Sequence, residues 1–270
     1  MSLQRGVRQL LGRQLGWFPK QRRSVHSVGI IGAPFSYGQK RRGVEGGPRA
    51  IREAGLAERL SGLGCKVYDY GDLSFTTVPN DTPYNNIVHH PRTVGLANQS
   101  LTEAVSRAVG DGHLSIMLGG DHSYILKNFG IRYFSMKEVD QLGIQKVMER
   151  TFDHLIGRQK RPVHLSFDVD AIDPSLAPAT GTPVIGGLTY REGMYIAEEV
   201  HNTGMLSAMD LVEVNPKLAT SDEELNATVN IAVDVISFSL GQAREGSHGK
   251  CDELPTPSAT YATNEQTLRL

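Results

Sequence analysis

PVHLSFDVDAIDP, residues 162–174, starts as an apolar strand and ends in acid. PVHLSFDVD reads as a buried strand with the acids at its carboxyl end. Asp168 and Asp170 stand two apart, so on a continuing strand both carboxylates face the same side. A parallel α/β protein keeps its ligand crevice at the carboxyl ends of its strands, where these acids fall. Two unpaired carboxylates repel, and a divalent cation between them removes the conflict. The alternative is that one caps the following turn and the other bonds loop backbone. Asp173-Pro174 reads as turn chemistry.

Working outward, strands and helices alternate along the chain. SVGIIGAPF, KVYDYGDL, LSIMLGG, IRYFSM, PVHLSFDVD and MLSAMDLVEV read as strands. GGPRAIREAGLAERLSGLG reads as one helix, with Pro48 in its first turn and Gly62 and Gly64 at its end. TVGLANQSLTEAVSRAVGDG, VDQLGIQKVMERTFDHLIGRQ, TYREGMYIAEEVHNTG and LNATVNIAVDVISFSLGQ are further helices. Alternating βα units predict a mostly parallel sheet covered by helices. The organisation expected is a basic leader over 1–23, one α/β domain over 24–245 and an irregular polar tail over 246–270.

The chain has 270 residues and 39% hydrophobic composition, enough for a buried core. No Asp or Glu occurs before Glu45, whereas Arg5, Arg8, Arg13, Lys20, Arg22 and Arg23 do. With Leu3, Val7, Leu10, Leu11, Leu15 and Trp17 opposite the arginines, this reads as a mitochondrial presequence addressing the chain to the matrix. The alternative is a plain basic arm. The net charge is -1, and loss of the leader takes it to about -7. Nucleic-acid binding is therefore not expected. No apolar run is long enough to span a bilayer. Cys65 and Cys251 stand in no metal or disulfide pattern and read as reduced thiols.

His122 ends LSIMLGGDH, and Gly119 and Gly120 before it permit a tight turn and close backbone approach. An imidazole beside two carboxylates suits Mn(II), Fe(II) or Zn(II) better than Mg(II) or Ca(II). A structural histidine is the competing reading. Glu213 ends another strand, and a buried glutamate there suits a planar guanidinium. Its competing reading is a hydrogen bond to the Asn215-Pro216 turn. Asp210 is an odd number of residues from Glu213 and so faces the opposite side. Gly-rich phosphate loops and a nucleophile elbow are lacking.

Taken in order, IGAPFSYGQKRRGVEGGP, GGDH, SFDVDAIDPSLAPATGTPVIGGLTYREG, DLVEVNP and AREGSH closely resemble the arginases of the ureohydrolase family. GVEGGP, TYREG and VEVNP favour arginase over agmatinase. The resemblance implies a three-layer α/β/α fold with a mostly parallel sheet. It also implies two Mn(II) ions per subunit and hydrolysis of L-arginine to L-ornithine and urea. By motif, His122, Asp168 and Asp170 match metal ligands, Glu213 holds the guanidinium and Thr182 lies near it. Arginases are commonly trimers, and Arg244, Asp140 and Glu192 match positions of their intersubunit ion pairs.

One block departs from the family. Arginases place a D-x-H-x-D strand after GGDH, then a substrate loop with a catalytic histidine. Here GGDHS runs directly into YILKNFGIRYF. Three of the family's six metal ligands and its proton-shuttling histidine have no counterpart, so at most one manganese is supported and no catalytic residue is assigned. The sheet is expected to be shortened by loss of central βα units. It must then re-pair LSIMLGG across the join or leave edges bare. Two readings follow: an arginase-family hydrolase, or a catalytically impaired chain acting as a structural or interfering subunit.

Overall fold

In the computed structural model, the described residues are 27–38, 41–83, 89–120, 132–157 and 159–244. The leader, His122, Cys251 and the tail over 246–270 lie outside them. Among the described residues, five strands build one sheet: β1 (Ser27–Ala33), β2 (Lys66–Asp72), β3 (Leu114–Gly119), β4 (Val163–Asp168) and β5 (Leu206–Val212). Their order is β2-β1-β3-β5-β4. Every neighbouring pair is parallel. LSIMLGG thus re-pairs, with Ile116 opposite Met209. No gap is left between described strands, and β4 forms one edge.

Among the described residues, seven helices accompany the sheet: α1 (Gly47–Glu53), α2 (Leu56–Gly62), α3 (Pro91–Gly110), α4 (Met136–Leu142), α5 (Ile144–Leu155), α6 (Tyr190–Asn202) and α7 (Asp222–Ser239). The sequence reading of one helix over 46–64 is corrected to two. Gly55 sits at φ 82°, a left-handed conformation that ends α1 and starts α2 on a new axis. The long helix expected over 139–159 is likewise split at Gly143, with φ 76° and ψ 151°. IRYFSM is not a strand over its described residues. Arg132 to Phe134 are irregular, and Glu138 reaches back to the Ser135 N–H at 2.7 Å to start α4.

The core lies on one side of the sheet. Ile30, Leu118, Met209 and Leu211 pack there with Ile51 of α1, Leu60 of α2, Met194 of α6 and Val233 and Ile236 of α7. Each large aliphatic side chain so buried contributes roughly 1.5–3 kcal/mol. Helix α7 is apolar on most sides because α1, α2 and α6 cover what the sheet does not. Asp234 ties these helices together. It accepts from Tyr190 at 2.9 Å and pairs with Arg59. Burial and then that bond push the Tyr190 phenol up to about 12.

The other face is thinner. Ile31 of β1 packs against Ala104 and Ala108 of α3, and α3 lies over β1 and β3. His164 and Ser166 of β4, on this face, remain exposed. Helix α5 belongs to the first side, where Met148 and Phe152 meet Val200, Val163 and Leu165. No described helix is long and apolar enough to cross a membrane.

Candidate metal and substrate site

The first acid ends its strand. β4 stops at Asp168 and the chain turns into a 3-10 segment over Val169–Ala171. The Asp168 carboxylate caps that turn, its Oδ1 accepting the Asp170 N–H at 2.9 Å. Strand alternation therefore does not align the two carboxylates as expected, because a cap side chain draws the backbone out of the extended form one residue later. Asp170 is held instead by the ATGTP loop. Its Oδ2 accepts the Thr182 N–H at 3.0 Å and the Thr182 hydroxyl. Its Oδ1 is buried and accepts no hydrogen bond from the described residues.

That loop is pinned on several sides. Thr180 bridges Val214, and the Asn215 N–H reaches Ala179 O at 2.8 Å. Thr228 of α7 accepts the Ala179 N–H at 3.0 Å, and Arg41 donates to Gly181 O at 2.6 Å. Asp173 is the turn residue expected. Its carboxylate accepts the Ser175 hydroxyl and N–H and the Gly186 N–H, which together hold its pKa down at about 2.

Glu213 follows β5 directly. It is 6% exposed and adopts φ 69°, a left-handed conformation that disfavours any residue with a Cβ. Its N–H donates to Gly120 O at 3.0 Å, so the ends of β3 and β5 are stitched together. Gly119 and Gly120 are required here. A Cβ on Gly119 would come within 2.6 Å of Val212 Cγ1, and one on Gly120 would overlap the Phe35 carbonyl. Gly120 is the last described residue before His122. The Asn215-Pro216 turn is braced by Lys217, which bonds Glu45 at 2.8 Å. Burial alone would raise the Glu45 pKa, but Lys217 and backbone N–H donors take it down to about 2.

The donor set can be tested against a metal. One carboxylate ends β4 and the other lies in the turn after it with a buried, unbonded oxygen, a donor set that leaves room for at most a single divalent cation. They do not fit a bridged pair, since no three His, Cys, Asp or Glu side chains gather among the described residues. Thr182 faces Asp170, so its hydroxyl orients a carboxylate rather than projecting free.

The residues expected at subunit contacts have these surroundings within the chain. Arg244 grips Glu198 of its own chain, Nη2 to Oε2 at 2.6 Å and Nε at 2.9 Å. Glu192 accepts the Thr189 N–H at 2.8 Å as part of the α6 cap. Asp140 is exposed on α4. Sequence reasoning also missed a group on the thin face. The buried Asp210 accepts Ser166 Oγ at 2.6 Å and lies 2.7 Å from His164 Nε2. The β4–β5 register, which sets Ser166 opposite Asp210, creates this group, and no single stretch of sequence encodes it.

The fold and site define a parallel α/β protein with acids at or just beyond the ends of β4 and β5, an architecture that metal-assisted hydrolases share. The Arginase family model matches residues 26–126 and 124–240. The chain is 50% identical over 351 aligned residues to the Homo sapiens protein named arginase-2, mitochondrial, spanning 98% of this chain and 99% of that one. It is 51% identical over 334 residues to the Mus musculus protein of that name, spanning 92% of this chain and 94% of the relative. A solved arginase from Bacillus caldovelox aligns with a TM-score of 0.72 and 28% identity, over 81% of this chain and 99% of that one. The chain belongs to the arginase family, hydrolases of the guanidino C–N bond that convert L-arginine to L-ornithine and urea. The two matched stretches meet at residues 124–126, at the GGDHS–YILKN join. The 351 positions aligned with the human relative exceed the 270 residues of this chain by 81, so the absent block is internal.

Proposed function

We propose that this chain acts on L-arginine at the ends of β4 and β5, using one divalent cation rather than two. What supports this most is the Asp170 carboxylate, fixed through Oδ2 by Thr182 and presenting a buried, unbonded Oδ1. Asp168, Asp170 and His122 would hold the ion, manganese by family resemblance. Such a cation lowers the pKa of a water it binds, which makes hydrolysis accessible near neutral pH. Glu213 receives the guanidinium, and its strained, stitched backbone limits how far the carboxylate moves. The ATGTP loop closes the side of the site and keeps Asp170 pointed. With the family's histidine absent, no described residue takes the leaving-group proton role. Turnover is accordingly expected below that of a two-metal arginase by at least the factor of about 100–1000 that one electrostatic group supplies.

A second reading rests on the internal block that the relatives carry and this chain lacks. The chain then serves as a non-catalytic subunit in trimers with a complete arginase, through Arg244, Asp140 and Glu192. In either case its address is the mitochondrion, in keeping with the names of its relatives, and by its basic leader the matrix.

Metal analysis of the purified chain and a urea assay on L-arginine in excess Mn(II) separate the readings. The hydrolase predicts about one manganese per chain and urea above the metal-only blank. Absence of both removes the hydrolase, and co-purification with a complete arginase then supports the subunit reading.

A further inference from the structure

A cavity of 230 Å³ lies between α3 and the sheet, on the thin face. It opens at the carboxyl ends of β1 and β3. There the strand order reverses, β2 lying to one side of β1 and β3 to the other. Parallel α/β sheets bind ligands at such a reversal. Phe35, Phe75, Leu101 and Met117 form apolar walls, and Asp210 and Ser166 supply polar groups. Phe35 and Phe75 meet edge to face at 5.2 Å, so the mouth is framed by rigid rings. Gly119, Gly120 and Val212 border both this cavity and the site above, but Asp168, Asp170, Thr182 and Glu213 do not line the cavity.

The polar end is a built one. Asp210 is 7% exposed and is oriented by Ser166 at 2.6 Å and His164 at 2.7 Å, one on each carboxylate oxygen. Each oxygen has a second lone pair, so the carboxylate retains acceptor capacity. An acid beside apolar walls in a partly open cavity matches a ligand with one apolar body and one cationic head. The size also selects, because a cavity of about 150 Å³ already accommodates benzene.

We propose that this cavity is a second ligand site, for a small organic amine carrying one aromatic or branched aliphatic body. The ammonium meets Asp210 beside Ser166, and the body fills the space between the two phenylalanines and α3. The proposal is independent of the hydrolase reading, since it uses neither the strand-end acids nor a metal.

Benzylamine is the probe, with benzyl alcohol as the neutral analogue of equal size. Binding to the full chain is followed by calorimetry and by the methyl NMR signals of labelled methionine, with Met117 assigned through Met117→Leu. Benzylamine should bind with a Kd on the order of 0.1–1 mM, shift the Met117 methyl and exceed benzyl alcohol about tenfold. Asp210→Asn should erase the tenfold preference, and Leu101→Trp, which fills the chamber, should abolish both. Glu213→Gln should change neither. Equal binding of amine and alcohol, an unmoved Met117 methyl, or a loss caused by Glu213→Gln overturns the proposal. The amine–alcohol comparison needs no variant, so it decides the matter even if Asp210→Asn fails to fold.

Discussion

Glu213 combines a left-handed backbone with a buried carboxylate. Such a conformation costs a residue with a Cβ roughly 1–2 kcal/mol relative to glycine. Removal of the side chain can be separated from relief of the backbone: Glu213→Gly should be about 1 kcal/mol more stable than Glu213→Ala in urea unfolding. Equal stability would mean that the backbone at this position is not strained. Asp170 makes the complementary case. Asp170→Asn keeps an oxygen for Thr182 but loses the charge, so Mn(II) affinity should fall at least tenfold by calorimetry. His122→Ala tests the proposed third ligand in the same way.

At the scale of the element, caps decide where helices begin. Thr189 Oγ1 accepts the Glu192 N–H at 3.3 Å, while Glu192 returns a carboxylate to the Thr189 N–H at 2.8 Å. This reciprocal cap starts α6 just beyond the ATGTP loop. Thr189→Ala should cost about 1 kcal/mol in chemical denaturation, with little effect on metal uptake. Gly55 and Gly143 stand in the sequence, but the divisions they make between α1 and α2 and between α4 and α5 were not legible, because both interrupt apolar patterns that otherwise run on, and only the packing selects the kink.

At the scale of the whole molecule, the thin sheet face contributes one pH-dependent part of the stability. The bond to Asp210 raises the His164 imidazole above its ordinary 6.5, against burial that lowers it. A raised folded value means that the fold favours the protonated ring. The contribution is complete below pH 6.5 and is lost as pH rises through the higher folded value. The His164 contribution to the thermal midpoint should therefore decline as pH rises above 6.5, and His164→Gln should remove it. The group sits on β4, an edge strand with exposed residues, so solvent screening keeps the effect modest.

The sequence by itself determined the parallel α/β class, the strand-end acids Asp168 and Glu213, the paired glycines before His122 and the join after Ser123. These are local signals: apolar runs, glycine pairs and acids in fixed motifs. Only the tertiary structure decided that β3 pairs with β5 and that Asp168 caps the turn leading to Asp170. It alone brought Thr182 onto Asp170 and gathered Asp210, Ser166 and His164. Each of these depends on register between strands or on a loop pinned by distant residues, and such contacts are set by packing across the sheet rather than by neighbours in the chain.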